Sequence, residues 1–147
     1  MPFNSMAVRE LVSHTDLECL SLNLYFEARN ESRLSHVAIN QVVFNRVASP
    51  RFPDSICGVI KQGVYIGDHP VRNFCQFSWY CDGRHDNPVD KLAFSKVREL
   101  SRWMLIARDF TPQLVDNAMW YHADYVRPRW SHVRKRVLQV DSHIFYK

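Results

Sequence analysis

No run of about 18 apolar residues occurs in this 147-residue chain, so no segment reads as a membrane-spanning helix. The opening stretch, MPFNSMAVRELVSH, has no basic n-region, no apolar h-region and no small-residue cleavage site, and so shows no secretory signal. Repeats, low-complexity tracts and long linkers are missing, and H-E-x-x-H, the helical zinc-protease pattern, does not occur. These absences leave one domain over residues 1–147, made in the cytoplasm unless a partner exports it or a leader precedes it, with the length for one core.

What is present is ordinary in bulk and unusual in detail. Hydrophobic residues make up 46% and charged ones 23%, which suits a globular protein. Aromatics reach 13%, and several stand beside polar residues, a mixture that suits a groove stacking on flat ligands. The formal net charge is +4, which favours polyanions: nucleic acid, an anionic membrane or the acidic polymers of bacterial walls. Four cysteines are present. Cys19 falls in an apolar helical pattern and reads as a buried thiol, whereas Cys57, Cys75 and Cys81 fall in or near loops. Cys75 and Cys81 flank five residues; a bridge between them, or from either to Cys57, competes with four free thiols in a reducing cytoplasm.

The periodicity predicts a helix-dominated α+β domain with a short β-sheet. Thr15-Asp16-Leu17-Glu18 has capping-box form and starts a helix at Asp16, with Leu17, Leu20, Leu24 and Ala28 on one face and Glu27 near its end. A second helix runs from about Arg33 to Ala48, with Leu34, Val37, Ala38, Val42 and Val47 inward. Asp54 caps a short third helix ending near Gln62. Residues 63–90 read as irregular except for a strand over Gln76–Tyr80. Asn87-Pro88 starts a further helix whose face is Leu92, Ala93, Val97, Leu100, Trp103, Met104 and Ala107. Met119–Ala123 and Val137–Phe145 read as extended, around the basic stretch from Arg127 to Arg136.

Three constellations carry chemistry. Glu27 follows Tyr25 and Phe26 at a helix end. Partial desolvation there would raise its pKa toward the range a general acid needs, whereas a solvated glutamate paired with Arg29 or Arg46 would do nothing. In Gln76-Phe77-Ser78-Trp79-Tyr80, strand alternation puts Gln76 and Ser78 on one face, where they could bond sugar hydroxyls or acetamido groups. Phe77 and Trp79 take the other face. From Trp120 through Tyr121 and His122 to Trp130, aromatics mix with His and Asp in a turn-like stretch that suits a binding surface.

Taken in order, Tyr25–Glu31, Asn45-Arg46-Val47, Phe52-Pro53, Cys57-Gly58-Val59-Ile60, Gln76-Phe77-Ser78-Trp79, Tyr121-His122-Ala123, Pro128-Arg129-Trp130 and His143-Ile144-Phe145-Tyr146 resemble the SleB/CwlJ-type cell-wall hydrolases. These are the spore cortex-lytic enzymes and their relatives in other bacteria and phages. The resemblance spans about Leu17 to Lys147. It implies a lysozyme-like or lytic-transglycosylase-like fold and cleavage between N-acetylmuramic acid and N-acetylglucosamine. Glu27, first in the E-A-R-x-E pattern, is the implied catalytic acid. Asn45, Gln76, Ser78, Trp79, Tyr121, His122 and Trp130 are the implied substrate-binding residues. No cofactor and no metal is called for, and the expected partner of the monomer is the peptidoglycan glycan strand, in the periplasm or at a host envelope. Cortex-lytic members often carry a separate wall-binding domain. A short, basic domain without one is more like a phage lysis enzyme.

A second acid would make the enzyme a lysozyme-type muramidase, and Glu31, Asp82, Asp86 and Asp124 are the candidates. Lytic transglycosylases need none, because one glutamate does both proton transfers. Two rivals belong to other classes. Cys57, Cys75, Cys81 and His122 have zinc-ligand chemistry, but C-x5-C is not the usual knuckle spacing. Arg127, Arg129, Arg134, Lys135 and Arg136 beside Trp130 and His132 have the mixture that single-strand nucleic-acid binders use, with no recognised motif around it.

Overall fold

The computed structural model describes residues 12–147, so most of the opening stretch, where a leader would lie, falls outside the described residues. The axis of the fold is helix α1, His14–Ala28. Its cap is Ser13, whose Oγ accepts from the Asp16 amide at 3.4 Å, so the helix begins earlier than the Asp16 start read from the capping box. Leu17, Leu20, Leu24 and Ala28 are buried as expected, and so are Cys19, Asn23 and Tyr25. A helix buried on more than one side is an interior helix. Two apolar clusters flank it, one around Leu20, Val59, Ile60 and Met104, the other around Leu24, Ile39, Val97 and Phe145.

Helix α2, Arg33–Val47, is capped by Ser32, whose Oγ accepts from the Ser35 amide. Ala38 and Val42 are fully buried as expected, and Val37 and Val47 pack against the core; Leu34 is instead 53% exposed, and Asn40, Gln41 and Arg46 are buried as well. Asn40 Nδ2 donates to the Ser101 hydroxyl at 3.3 Å, and Gln41 and Arg46 fasten a later loop to the helix. Gln41 donates to the Pro112 carbonyl at 2.7 Å and accepts from the Leu114 amide at 2.8 Å. Arg46 Nε donates to the Met119 carbonyl at 2.7 Å. These hydrogen bonds offset much of the cost of burying such groups, and hydrophobicity alone cannot reveal them.

Helix α3, Ile56–Ile60, is capped by Ser55 rather than Asp54. The region after it is less irregular than its composition suggests. Strands β1, Gly63–Ile66, and β2, His69–Cys75, form an antiparallel hairpin. Gly67 turns it with φ +62°, at the first turn position, where tight hairpins require positive φ. The strand expected over Gln76–Tyr80 is not one. The ladder ends at Cys75, and Ser78–Cys81 form a 3-10 turn that buries Trp79 and Cys81.

Helix α4, Lys91–Ile106, starts later than Asn87-Pro88 and is capped by Asp90. Val97, Leu100 and Met104 pack inward, but Leu92 and Trp103 are exposed at the edges of the stripe. The chain ends in a three-stranded antiparallel sheet, order β3-β5-β4, from Trp120–Ala123, His143–Tyr146 and Arg136–Val140. The extended segment expected over Val137–Phe145 is therefore two strands, reversed at Asp141, whose φ is +49°. A second 3-10 turn, Arg129–His132, lies within the basic stretch.

All four cysteines are bridged, Cys19 to Cys57 and Cys75 to Cys81. Cys19 is thus not a thiol, and the reducing-cytoplasm expectation of four free thiols is overturned. The apolar surroundings that suggested an inert thiol bury a disulfide equally well. The grouping of Cys57, Cys75, Cys81 and His122 as a zinc site falls with it, since bridged sulfurs are not thiolate ligands. Among the described residues no helix is long and apolar enough to cross a membrane.

Candidate active site

Glu27 sits in the last turn of α1, where the helix meets the sheet and the 76–81 loop. Two clefts of about 430 Å³ each share Phe26 and Glu27. One continues along Arg29, Asn30 and Glu31 toward His85, Asn87 and Val89. The other is walled by Gln76, Ser78, Tyr121, His122 and Trp130. Glu27 therefore stands at the middle of a groove rather than at the end of a pocket.

Its surroundings raise its pKa from 4.5 to about 7. Desolvation by burial is the largest cause, and hydrogen bonding from Tyr121 and the charge of Arg46 oppose it. Arg46 feels the same burial, which lowers its pKa to about 10, and it stays charged at neutral pH. The buried Tyr121 hydroxyl is held well above its ordinary value, first by burial and then by the charge of Glu27. It stands near enough to act as a donor toward the carboxylate without completing a hydrogen bond of standard geometry. Asn23 Nδ2 and Arg46 Nη1 are likewise buried donors without an acceptor among the described residues.

The wall around Glu27 is braced from behind. Trp79 does not line either cleft that holds Glu27. It is buried, donates from Nε1 to Asn23 Oδ1 at 2.9 Å and stacks on Phe26 at 5.1 Å, fixing the ring next to Glu27. Asn45 also lies away from the groove, exchanging hydrogen bonds with Gln113 and donating to the Ala118 carbonyl at 2.9 Å. Gln76, Ser78, Tyr121, His122 and Trp130 do converge with Glu27. The Cys75–Cys81 bridge closes the loop that presents Gln76 and Ser78. His122 Nδ1 faces the Ala123 carbonyl at 2.7 Å and must donate there. Its Nε2 then accepts from the Tyr146 hydroxyl at 2.8 Å.

Arg46 and His143 line the same cleft, and the sequence does not mark them as binding residues; Trp120, from the aromatic stretch read as a binding surface, lines it too. Arg46 carries a signal, as a possible ion-pair partner of Glu27 within the Asn45-Arg46-Val47 motif. His143 has only its motif position. Within and beside the basic stretch, Arg134 lies over the Trp120 ring at 3.2 Å, and Trp130 packs edge-on against His122 and Tyr146. Of the four candidate second acids, Glu31 alone lines a cleft shared with Glu27. Among the described residues no group of three His, Cys, Asp or Glu is placed to hold a metal ion.

One desolvated glutamate thus stands in a polar and aromatic groove. A sequence model of the family described as Cell Wall Hydrolase matches residues 30–146, and the chain belongs to that family. The spore cortex-lytic enzyme of Bacillus subtilis (strain 168) is 46% identical over 135 residues, which is 90% of this chain and 38% of that protein. The spore cortex-lytic enzyme of Halalkalibacterium halodurans is 42% identical over 133 residues, 90% of this chain and 35% of that one. The chain spans less than half the length of the curated relatives it matches. Among solved structures, the catalytic domain of the germination-specific lytic transglycosylase SleB from Bacillus anthracis superposes with a TM-score of 0.68 at 25% identity, over 92% of this chain and 97% of that one. Its likeness extends to the small-sheet, helix-dominated lysozyme-like architecture expected from sequence.

Proposed function

We propose that the protein is a peptidoglycan glycosidase that cuts between N-acetylmuramic acid and N-acetylglucosamine as a lytic transglycosylase, leaving 1,6-anhydro-muramic ends. The observation that carries this reading is Glu27, a single carboxyl raised to about 7 at the junction of two clefts. A strand lying through the groove places one sugar in each cleft and the bond between them at the carboxyl. The Glu27 proton passes to the bridging oxygen, the muramic C1–O bond breaks, and the N-acetylglucosamine side leaves with a free hydroxyl. The Glu27 carboxylate then takes the proton of the muramic C6 hydroxyl, whose oxygen closes on C1. Glu27 ends protonated, as it began, and no water is consumed.

The neighbours fit that cycle. Burial keeps the proton on Glu27 at rest, which is the acid step. Arg46 and Tyr121 favour the carboxylate that exists between the two steps. Gln76, Ser78, Tyr121, His122 and Trp130 are proposed to hold the sugar hydroxyls, acetamido groups and ring faces. Asn45 and Trp79 act from behind the wall. The matched Bacillus anthracis domain is that of a lytic transglycosylase, which supports the same outcome. The two disulfides support action on the wall in an oxidising setting, in the periplasm or at a host envelope.

Digesting purified peptidoglycan and weighing the new sugar ends tests this. Anhydro ends are expected. Reducing muramic ends would make the protein a muramidase, with Glu31 the acid already in the cleft. Intact strands would end the glycosidase reading.

A further inference from the structure

The groove does not stop at the catalytic helix. Arg29, Asn30 and Glu31 also line an adjoining cleft of about 380 Å³, between the starts of α2 and α4. Charge there is uneven. Arg29, Arg33 and Lys96 line it, and none of them forms an ion pair among the described residues. Arg29 donates instead to the neutral Tyr25 hydroxyl. The acids of the cleft are already engaged. Asp90 Oδ1 accepts from the Ala93 amide at 3.0 Å, and Glu31 accepts from the Ser142 hydroxyl and lies 3.4 Å from His143 Nδ1. Arg29, Arg33 and Lys96 outnumber Glu31 and Asp90, and this cationic excess makes the cleft a receptor for anions.

We propose that this annexe binds the carboxylates of the peptide stem on the N-acetylmuramic residue next to the scissile bond, which makes it a substrate-specificity site. The inference rests on the glycosidase reading above. The stem leaves the muramic ring through its lactyl group, so its receptor must adjoin the sugar held at Glu27, and Arg29, Asn30 and Glu31 follow closely after Glu27 in the chain. An extended stem of about three to five residues reaches roughly 10–17 Å, enough to enter the annexe. The phosphates of an acidic wall polymer carry the same sign of charge but lack a fixed attachment beside every bond to be cut.

The test compares three preparations of one peptidoglycan: stem-bearing strands, strands stripped of stems by an amidase, and stem-bearing strands stripped of phosphate polymer. Cleavage of bare strands by the wild-type protein tests the glycosidase reading by itself. The stem proposal is read from the ratio of kcat/KM on stem-bearing strands to that on bare ones. About fivefold or more is expected for wild type, the effect two exposed charge contacts supply. In Arg33→Gln/Lys96→Gln, two exposed positions whose replacement leaves the core untouched, the ratio should fall to near one. Removing the phosphate polymer should leave the wild-type ratio unchanged. A wild-type ratio near one overturns the proposal, as does a variant that keeps the wild-type ratio. A ratio lost with the phosphate polymer assigns the annexe to phosphate and overturns it too.

Discussion

The Tyr121 hydroxyl and the Glu27 carboxyl meet inside the protein and act on each other in opposite senses. Tyr121 makes Glu27 easier to ionise, and the charge of Glu27 makes Tyr121 harder to ionise. Tyr121 therefore stays a donor at every working pH, while Glu27 is the group that titrates. β3 brings this about by pairing Tyr121 with Phe145 and packing the ring against Phe77, His143 and Phe145.

Replacing Tyr121 by Phe removes the hydroxyl and keeps the ring. The pKa of Glu27 should then rise further, because a cause that lowers it is gone. A general acid works while protonated, so the alkaline limb of kcat/KM, placed near pH 7 by Glu27 in the wild-type protein, should move to higher pH. Peak activity should fall by no more than about a hundredfold, the lower part of the range for losing one transition-state donor. A pH profile identical to wild type would show that the hydroxyl does not reach the carboxyl in solution.

Glu27→Gln keeps the size of the side chain and removes its proton. Lysis should drop by at least about 10²–10⁴, since the same group serves both steps. Stability should move the other way, with a definite sign. The folded-state pKa of Glu27 is raised, so the wild-type protein loses stability as pH climbs from the ordinary value of 4.5 to about 7, where the unfolded chain ionises first. The amide escapes that loss. Its advantage should be absent near pH 4 and on the order of 3 kcal/mol by pH 8. Denaturant melts at the two pH values measure it, and an equal gap at both would mean that Glu27 is solvated.

The two disulfides should separate stability from activity. Cys19–Cys57 closes a chain separation of 38 residues and ties α1 to α3, whereas Cys75–Cys81 closes only 6. Loop-closure entropy assigns about 4 kcal/mol to the first and about 2 to the second. The smaller loop carries Gln76 and Ser78 into the cleft, so Cys75→Ser/Cys81→Ser should raise KM severalfold and lower the melting temperature less than Cys19→Ser/Cys57→Ser does. If the Cys19–Cys57 variant lost more substrate affinity than the other, the loop would not be the element that the bridge sets.

Helices were legible where one face is apolar and the chain is locally consistent, as in α1 and α4. Their starts were not, because Ser13 and Asp90 cap as well as the residues the local patterns favour. Strand Gln76–Tyr80 failed for a nonlocal reason. Its alternation is strand-like, but a bridge six residues long bends it into a turn and buries Trp79 against Phe26 and Asn23. The hairpin before it buries little, so its exposed Val64, Ile66 and Phe74 left no alternating pattern to read. Glu27 was legible as a candidate from its aromatic neighbours and its motif. The balance of its desolvation against Tyr121 and Arg46 was not, since those two residues are distant in the chain.

A second carboxylate decides between the two glycosidase outcomes, and Glu31 is the position to change. Asp82, Asp86 and Asp124 line neither cleft that holds Glu27. Asp82 accepts from the Arg84 amide at 2.9 Å, and Asp86 belongs to a separate pocket beside Tyr80 and Lys61. Glu31 shares a cleft with Glu27, but its carboxyl is taken by the Ser142 hydroxyl and lies against His143, a ring that burial holds below its ordinary pKa. A carboxylate engaged in that way anchors the start of β5 to the end of α1 more readily than it activates water. Glu31→Gln retains a group that can accept from Ser142, so it should keep at least about one tenth of wild-type activity, well short of the roughly hundredfold loss expected for an acid–base catalyst, and still yield anhydro ends. Glu31→Ala removes the acceptor, and its melting temperature should fall while its product stays the same. Loss of nearly all turnover in the folded Gln variant, together with reducing ends from the wild-type protein, would instead make Glu31 the base that activates water and the enzyme a muramidase.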